Sequence, residues 1–348
     1  MSVLSPKPRR GPFWRIRRAR GGRGALAALA CSTILGTPPA SRADESGTSF
    51  WQPGAYDDGA AIASLGWSVA VAPYHSSAFA GSNVTAARLV RTGALDSTAL
   101  GDLSATSRSF ENIVGLAPSY GFDLPALGLK AAVSVGVLVG KNSVSETGAV
   151  VGRSGSSGLG SNFSVGDSVE GFGDLAPQAT LFWASGVNNL MAYVTGNAPV
   201  GDYDARRLSN LGIGHGAFDG GLGYTYQNKS DKLEFSAVAG FTYNQSNMFT
   251  AYRSGVDFHL DLGASTYLND SVAVGPVAYL YDQIGCDGGA GDKFGCFRSR
   301  VAAAGARVAY NFTVSAAQVS LALKGYGEFA AQNRPAGWNL RLALTVSQ

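Results

Sequence analysis

Asp257, His259 and Asp261 stand at every second position of Tyr252-Arg-Ser-Gly-Val-Asp-Phe-His-Leu-Asp261, so an extended chain would carry two carboxylates and an imidazole on one face. Such a row could bind a cation, relay protons, or let an Asp-His pair activate water or a serine as a hydrolase does. No serine lies in an obvious matching motif. The plainer reading is that these acids pair with Arg or Lys across a narrow enclosed space, as charges of both signs do when they fill an interior. The same spacing of two groups Lys324, Tyr326 and Glu328, sets Glu234 and Ser236 on one side of their segment, and puts Arg341 with Asn339 and Thr345.

Two glycines around an aromatic in Gly171-Phe172-Gly173-Asp174 could form a constriction or a ligand-contacting turn, with Phe172 and Asp174 as the contacts, or only permit a kink. His215, between Gly214 and Gly216, could gate or bind a metal, but a lone histidine without a second ligand nearby does not make a metal site. No cofactor is expected. Cys286 and Cys296 flank nine residues rich in glycine and could close a disulfide in an oxidising compartment; zinc would need further ligands, and the segment offers none.

The elements that must hold these residues are strands. Charged residues are 15% of the chain and glycine reaches 47, while mean hydropathy is near zero. Glycines and polar residues interrupt every apolar run after the amino terminus, so no run reaches the 18 or so residues of a spanning helix. A closed sheet, which satisfies its backbone internally and hides apolar residues in alternation, is the remaining way to span lipid. The expected fold is all-β: a closed antiparallel transmembrane β-barrel of about twelve strands, near 67–78, 99–124, 127–143, 171–184, 188–200, 217–228, 232–246, 254–268, 271–284, 298–312, 317–331 and 337–346. Connections after strands two, four, six, eight and ten are tight. Those after one, three, five and nine are long, and 144–170, rich in Ser and Gly, is the longest. Short periplasmic turns and longer outer loops place both termini in the periplasm. Aromatics such as Tyr120, Phe182, Trp183, Tyr224, Tyr267 and Tyr310 gather before the short turns as one membrane girdle.

Three regions are expected. Residues 1–43 read as a cleaved signal peptide, with a basic stretch, an apolar stretch over Ala25–Gly36 and a small-residue site at Ser41-Arg42-Ala43; a lipoprotein signal with Cys31 acylated is the rival reading. Residues 44–65 form a periplasmic segment whose Phe50, Trp51, Pro53 and Tyr56 could pack into the lumen as a plug or trail as a tail. Residues 66–348 form the barrel. Removing nine basic residues with the leader leaves 18 basic against 24 acidic, a net −6, so nucleic acid is not an expected partner.

Several blocks resemble a known family: Ser49-Phe-Trp-Gln-Pro-Gly54, Gly171-Phe-Gly-Asp-Leu-Ala-Pro-Gln178, Thr195-Gly-Asn-Ala-Pro-Val-Gly201, Leu208-Ser-Asn-Leu-Gly-Ile-Gly-His-Gly216, Tyr252 through Asp261, and Gly325-Tyr-Gly-Glu-Phe329. The mature chain is similar to the outer-membrane proteins named for a phenol meta-cleavage degradation gene cluster. That resemblance implies a Gram-negative outer-membrane channel for small hydrophobic or aromatic compounds, with no catalytic residues. Its partners would be outer-membrane lipid, the solute and the barrel-assembly machinery. The cysteine pair and the ending Leu344-Thr-Val-Ser-Gln348, which lacks a terminal aromatic, depart from the family pattern. Two other readings stand beside the channel: an outer-membrane hydrolase using His259 with Asp257 or Asp261, and a structural or surface-interaction barrel working through its outer loops.

Overall fold

The structure, a computed structural model, describes residues 50, 52, 54–56, 59–92, 95–154, 157–292, 295–296 and 298–348. The leader expected at 1–43 lies outside these residues. Twelve strands close into one antiparallel barrel in which each strand pairs with its sequence neighbours and the first pairs with the last. They are β1 (Gly66–Thr92), β2 (Leu95–Leu124), β3 (Leu129–Ser154), β4 (Ser157–Ser185), β5 (Asn188–Asn197), β6 (Ala217–Asn228), β7 (Leu233–Asn244), β8 (Asp257–Tyr267), β9 (Val272–Gln283), β10 (Arg300–Val314), β11 (Ala317–Gln332) and β12 (Ala336–Ser347). Closure runs from Ser68 opposite Ser347 to Phe79 opposite Ala336, which removes the edge an open sheet would expose.

The side chains are sorted inside out. Leu222, Phe218, Phe241, Val194, Leu323, Trp338 and Leu342 face outward and exposed, whereas Lys324, His259, Asn142 and Asn339 are buried. In β7 the buried positions are Glu234, Ser236, Val238, Gly240, Thr242 and Asn244, and the exposed ones include Leu233, Phe235, Phe241 and Tyr243. A strand with that pattern gains burial of its apolar face only if something apolar surrounds the barrel. Lipid does so, and the polar residues turn inward because a charge on the lipid face near the midplane costs on the order of 2–4 kcal/mol for Arg or Lys.

One end of the barrel carries tight turns: the one-turn 3-10 helix Pro125–Leu127, and residues 186–187, 229–232, 268–271 and 315–316. At the other end, residues 198–216, 245–256 and 284–299 are long connections, as the sequence indicated for the first and last of these. The expected long loop at 144–170 is corrected. β3 continues to Ser154 and β4 begins at Ser157, with Ser143 opposite Ser168 and Ser154 opposite Ser157. The region read as a loop after the first strand is likewise almost all strand, since β1 runs to Thr92 and β2 starts at Leu95. Alternation reports a difference between lipid and lumen. Where β1 to β4 extend past the barrel wall, as residues beyond Phe79 have no β12 partner, that difference is gone while the backbone ladder continues.

Candidate functional site in the barrel lumen

The interior is occupied by the chain's own amino-terminal stretch. Gly54 and Tyr56 donate their backbone N–H groups to the two oxygens of Asp261, at 3.0 and 3.1 Å. From another part of the wall, Lys324 Nζ donates to the carbonyls of the same two residues, at 2.6 and 3.0 Å. A carboxylate that accepts and an ammonium that donates thus grip one short piece of backbone, the charge-assisted kind of hydrogen bond. Further along, Gly59 N–H donates to Ser236 Oγ at 2.9 Å and Ala61 N–H to Thr225 Oγ1 at 3.2 Å, while Arg341 reaches Gln52 Oε1 at 3.3 Å. Gly54 sits at φ +72, and a Cβ there would lie 2.9 Å from the Tyr326 ring, so glycine meets both a backbone and a space requirement.

Tyr56 packs against Tyr193 with ring centroids 5.0 Å apart, in a cluster with Ala61, Met191 and Val238. Burial, then the nearby Asp219 charge, pushes the Tyr56 hydroxyl well above the ordinary phenol range, so it stays neutral. A cavity beside it, lined by Tyr56, Ser236, Val238, Asp261 and Val277, measures about 10 Å³. That is about the least that holds one water, so Tyr56 packs closely against the wall here.

The row Asp257, His259 and Asp261 faces inward throughout, yet its members have separate partners. Asp257 accepts from Asn244 Nδ2 at 2.8 Å. His259 Nε2 lies 2.8 Å from Asp219 Oδ2 and 3.3 Å from the Tyr193 hydroxyl, and Thr242 Oγ1 donates to the same Asp219 oxygen at 2.6 Å. The histidine's carboxylate is therefore Asp219, in place of the neighbours in its own strand. Residues i and i+2 share a face roughly 7 Å apart along a strand, and here β6 brings Asp219 closer, across the lumen side of β7. Gly240, between them, leaves the room: a Cβ there would stand 2.7 Å from the imidazole.

The other expected lumen residues also face inward. Glu234 accepts from Gln227 Nε2 at 2.8 Å and from the Tyr267 hydroxyl. Glu328 accepts from the Tyr279 hydroxyl at 2.7 Å and from Gly337 N–H at 2.8 Å, and Tyr326 stacks obliquely on Tyr279 at 4.9 Å. The pair proposed as a constriction divides. Phe172 is 63% exposed and points outward, so it is no constriction. The register of β3 against β4 shifts between Val137 and Val139, opposite Leu175 and Phe172, and the irregularity reverses the alternation around Asp174. Asp174 turns inward and accepts from Asn197 Nδ2, Gly201 N–H and Ile213 N–H at 2.9, 2.8 and 2.9 Å.

Asp174 thereby anchors the 198–216 connection, which folds against the inner face of the wall. Leu211 is fully buried among Tyr74, Ile113 and Val169, and Ser209 Oγ donates to the carbonyl of Asn142 at 2.8 Å. Arg207 reaches Asp167 at 3.2 Å, and the Arg206 guanidinium holds the exposed Asp204 carboxyl at about 2, below the usual carboxylate range. His215 is buried in this loop and lies 3.0 Å from the carbonyl of Gly216 through Nδ1. Across the same end of the barrel, Cys286 and Cys296 are joined as a disulfide in the 284–299 connection. Among the described residues, no cluster of His, Cys, Asp and Glu has the makings of a metal site.

A family model described as the MetA-pathway of phenol degradation matches residues 112–344, most of the chain. The chain belongs to this family. The phenol-degradation match takes in the second half of β2, all of β3 to β11, and β12 up to Leu344. A solved structure similar to this family member is the COG4313 outer membrane channel from Pseudomonas putida F1, at 17% identity and a TM-score of 0.57, covering 85% of this chain and 100% of that one. At this identity the likeness concerns the fold. A Pseudomonas aeruginosa FadL homologue matches at 10% identity and a TM-score of 0.42, covering 83% of this chain and 93% of its own. The CymD monoaromatic hydrocarbon channel matches at 9% identity and a TM-score of 0.38, covering 87% of this chain and 94% of its own. No curated protein matches the chain in sequence.

Proposed function

We propose that this protein is an outer-membrane channel for small hydrophobic or aromatic compounds, and that residues 44–65 act as its plug. The observation that carries the reading is the way the lumen is filled. Part of the filling is a segment held largely through its own backbone on Asp261, Lys324, Ser236 and Thr225, and such a segment can leave without breaking the barrel's ladder. Membership of a phenol-degradation family supplies the solute class, and the similar barrel from Pseudomonas putida F1 is named as an outer membrane channel. The tight turns and both barrel termini then face the periplasm, the long ends of β1 to β4 face outward, and the barrel-assembly machinery inserts the chain.

The hydrolase reading finds little support in the lumen. The imidazole of His259 is fully buried between Asp219 and Tyr193, where a substrate has no approach. Initial uptake of labelled phenol and other monoaromatics by intact cells, with and without the gene, tests the channel. Slower uptake without the gene is expected; equal rates for every compound would contradict the reading.

A further inference from the structure

The outward face of β1 to β4 carries a patch that the channel reading does not use. Twelve residues of β1 separate Trp67, in the girdle near the tight turns, from Phe79. At about 3.3 Å per residue and a tilt of about 40° they climb roughly 30 Å, one membrane's apolar band and its boundary. At the upper boundary the register sets out two rows of outward side chains. His75, Asn112, Lys141 and Glu170 lie side by side, and two residues higher come Ser77, Phe110, Ser143 and Ser168, with Arg108 beside Phe79 above them.

Polar and cationic side chains at this depth are unusual for a lipid-facing wall. His75 bonds Asn112 at 2.7 Å and packs on Trp338 with centroids 5.0 Å apart, and the Arg108 guanidinium lies 5.9 Å over the Phe79 ring. Glu170 is the single acid in these two rows. Between them a groove of about 330 Å³ is lined by Phe110, Ser143, Val144, Ser145, Gly166, Asp167 and Ser168, with the Ser143 and Ser168 hydroxyls 3.1 Å apart and the Asp167 carboxylate already paired with Arg207 at 3.2 Å. Besides this neutralised acid the groove offers hydroxyls and one aromatic wall, with Arg108 and Lys141 on either side of its row.

We propose that this face binds the phosphorylated sugar head of an outer-leaflet saccharolipid, with Arg108 and Lys141 on phosphate and the groove along Phe110 receiving the sugar or an upper acyl segment. The assignment rests on the orientation given above, because only the outer leaflet meets this height. Charge complementarity and continuity with the apolar band both favour a membrane occupant: basic side chains at a membrane surface attract anionic headgroups, and the rows begin where Pro73, Val114, Val139 and Phe172 end.

The test compares binding of a diphosphorylated and a dephosphorylated lipid A to the full barrel in detergent, for wild type and for the double variant Arg108→Ala, Lys141→Ala. Wild type should prefer the phosphorylated lipid, and the variant should lose about 30-fold in affinity for it (about 2 kcal/mol), with little change for the dephosphorylated one. Heat-modifiable migration on gels shows that the variant remains a folded barrel. Equal binding by variant and wild type, or no preference for phosphate in wild type, overturns the proposal. Whole-cell labelling of a Ser164→Cys variant separates the two readings: failure to label from outside would overturn the orientation itself, whatever the lipid data say.

Discussion

Replacing Lys324 by Met should loosen the segment that fills the lumen. The ammonium donates to the carbonyls of Gly54 and Tyr56, and Met keeps most of the apolar stem while removing both bonds. Hydrogen bonds to charged groups contribute about 1.5–3 kcal/mol each, so the lower figure for two bonds gives about 3 kcal/mol. That shifts the ratio of released to docked segment by roughly 100-fold. Docking would still be the majority state, because Asp261, Ser236 and Thr225 keep their bonds to the segment. Limited proteolysis reads the change: when cleavage is slow relative to re-docking, its rate follows the released population, so cutting within residues 50–61 should accelerate about 100-fold. Opening events in planar bilayers should become correspondingly more frequent. The same substitution made in a chain lacking residues 44–61 should leave openings unchanged. Cleavage within threefold of wild type, or an equal effect in the shortened chain, would refute the clamp.

Three further outcomes follow from the lumen and the loops. Asp174→Ala removes a buried acceptor from Asn197, Gly201 and Ile213, so it should cost about 3 kcal/mol of local order and expose residues 198–216 to protease while the barrel stays intact. Gly240→Ala forces a methyl to 2.7 Å from the His259 ring, which should destabilise the barrel by about 1–3 kcal/mol, read as a lower denaturation midpoint. Reducing Cys286–Cys296 should raise hydrogen exchange across 284–299 without affecting β9 or β10, whose pairing from Arg300 with Asp282 to Tyr310 with Val272 does not depend on the bridge.

The parts of this fold that were legible in the sequence are those where one strand face meets lipid and the other meets the lumen. β7, β8 and β12 show that contrast residue by residue, and their inward sets are the ones found. It fails in the upper halves of β1 to β4, where the sequence loses a sustained alternation and its Ser- and Gly-rich stretches read as loop. Phe172 was misplaced because the two glycines around it suggest a turn or constriction, whereas they lie within β4, which carries its ring to the outer face. Asp219 was missed as the partner of His259 because it sits in Phe218-Asp-Gly-Gly, a stretch with little alternation. Its inward parity in β6, opposite Thr242 of β7 and two strands from His259, was the available signal. The grip of Lys324 on Gly54 joins residues 270 apart, and no local pattern carries such a contact.

The central claim is that a channel is held closed by its own amino-terminal segment, and single-channel conductance tests it most directly. The full chain and a chain lacking residues 44–61 would be compared in the same planar bilayer. The account predicts a mostly closed full chain and a stable, larger conductance after deletion. Equal conductance from both chains, or none from either while the shortened chain remains a folded barrel, would contradict it.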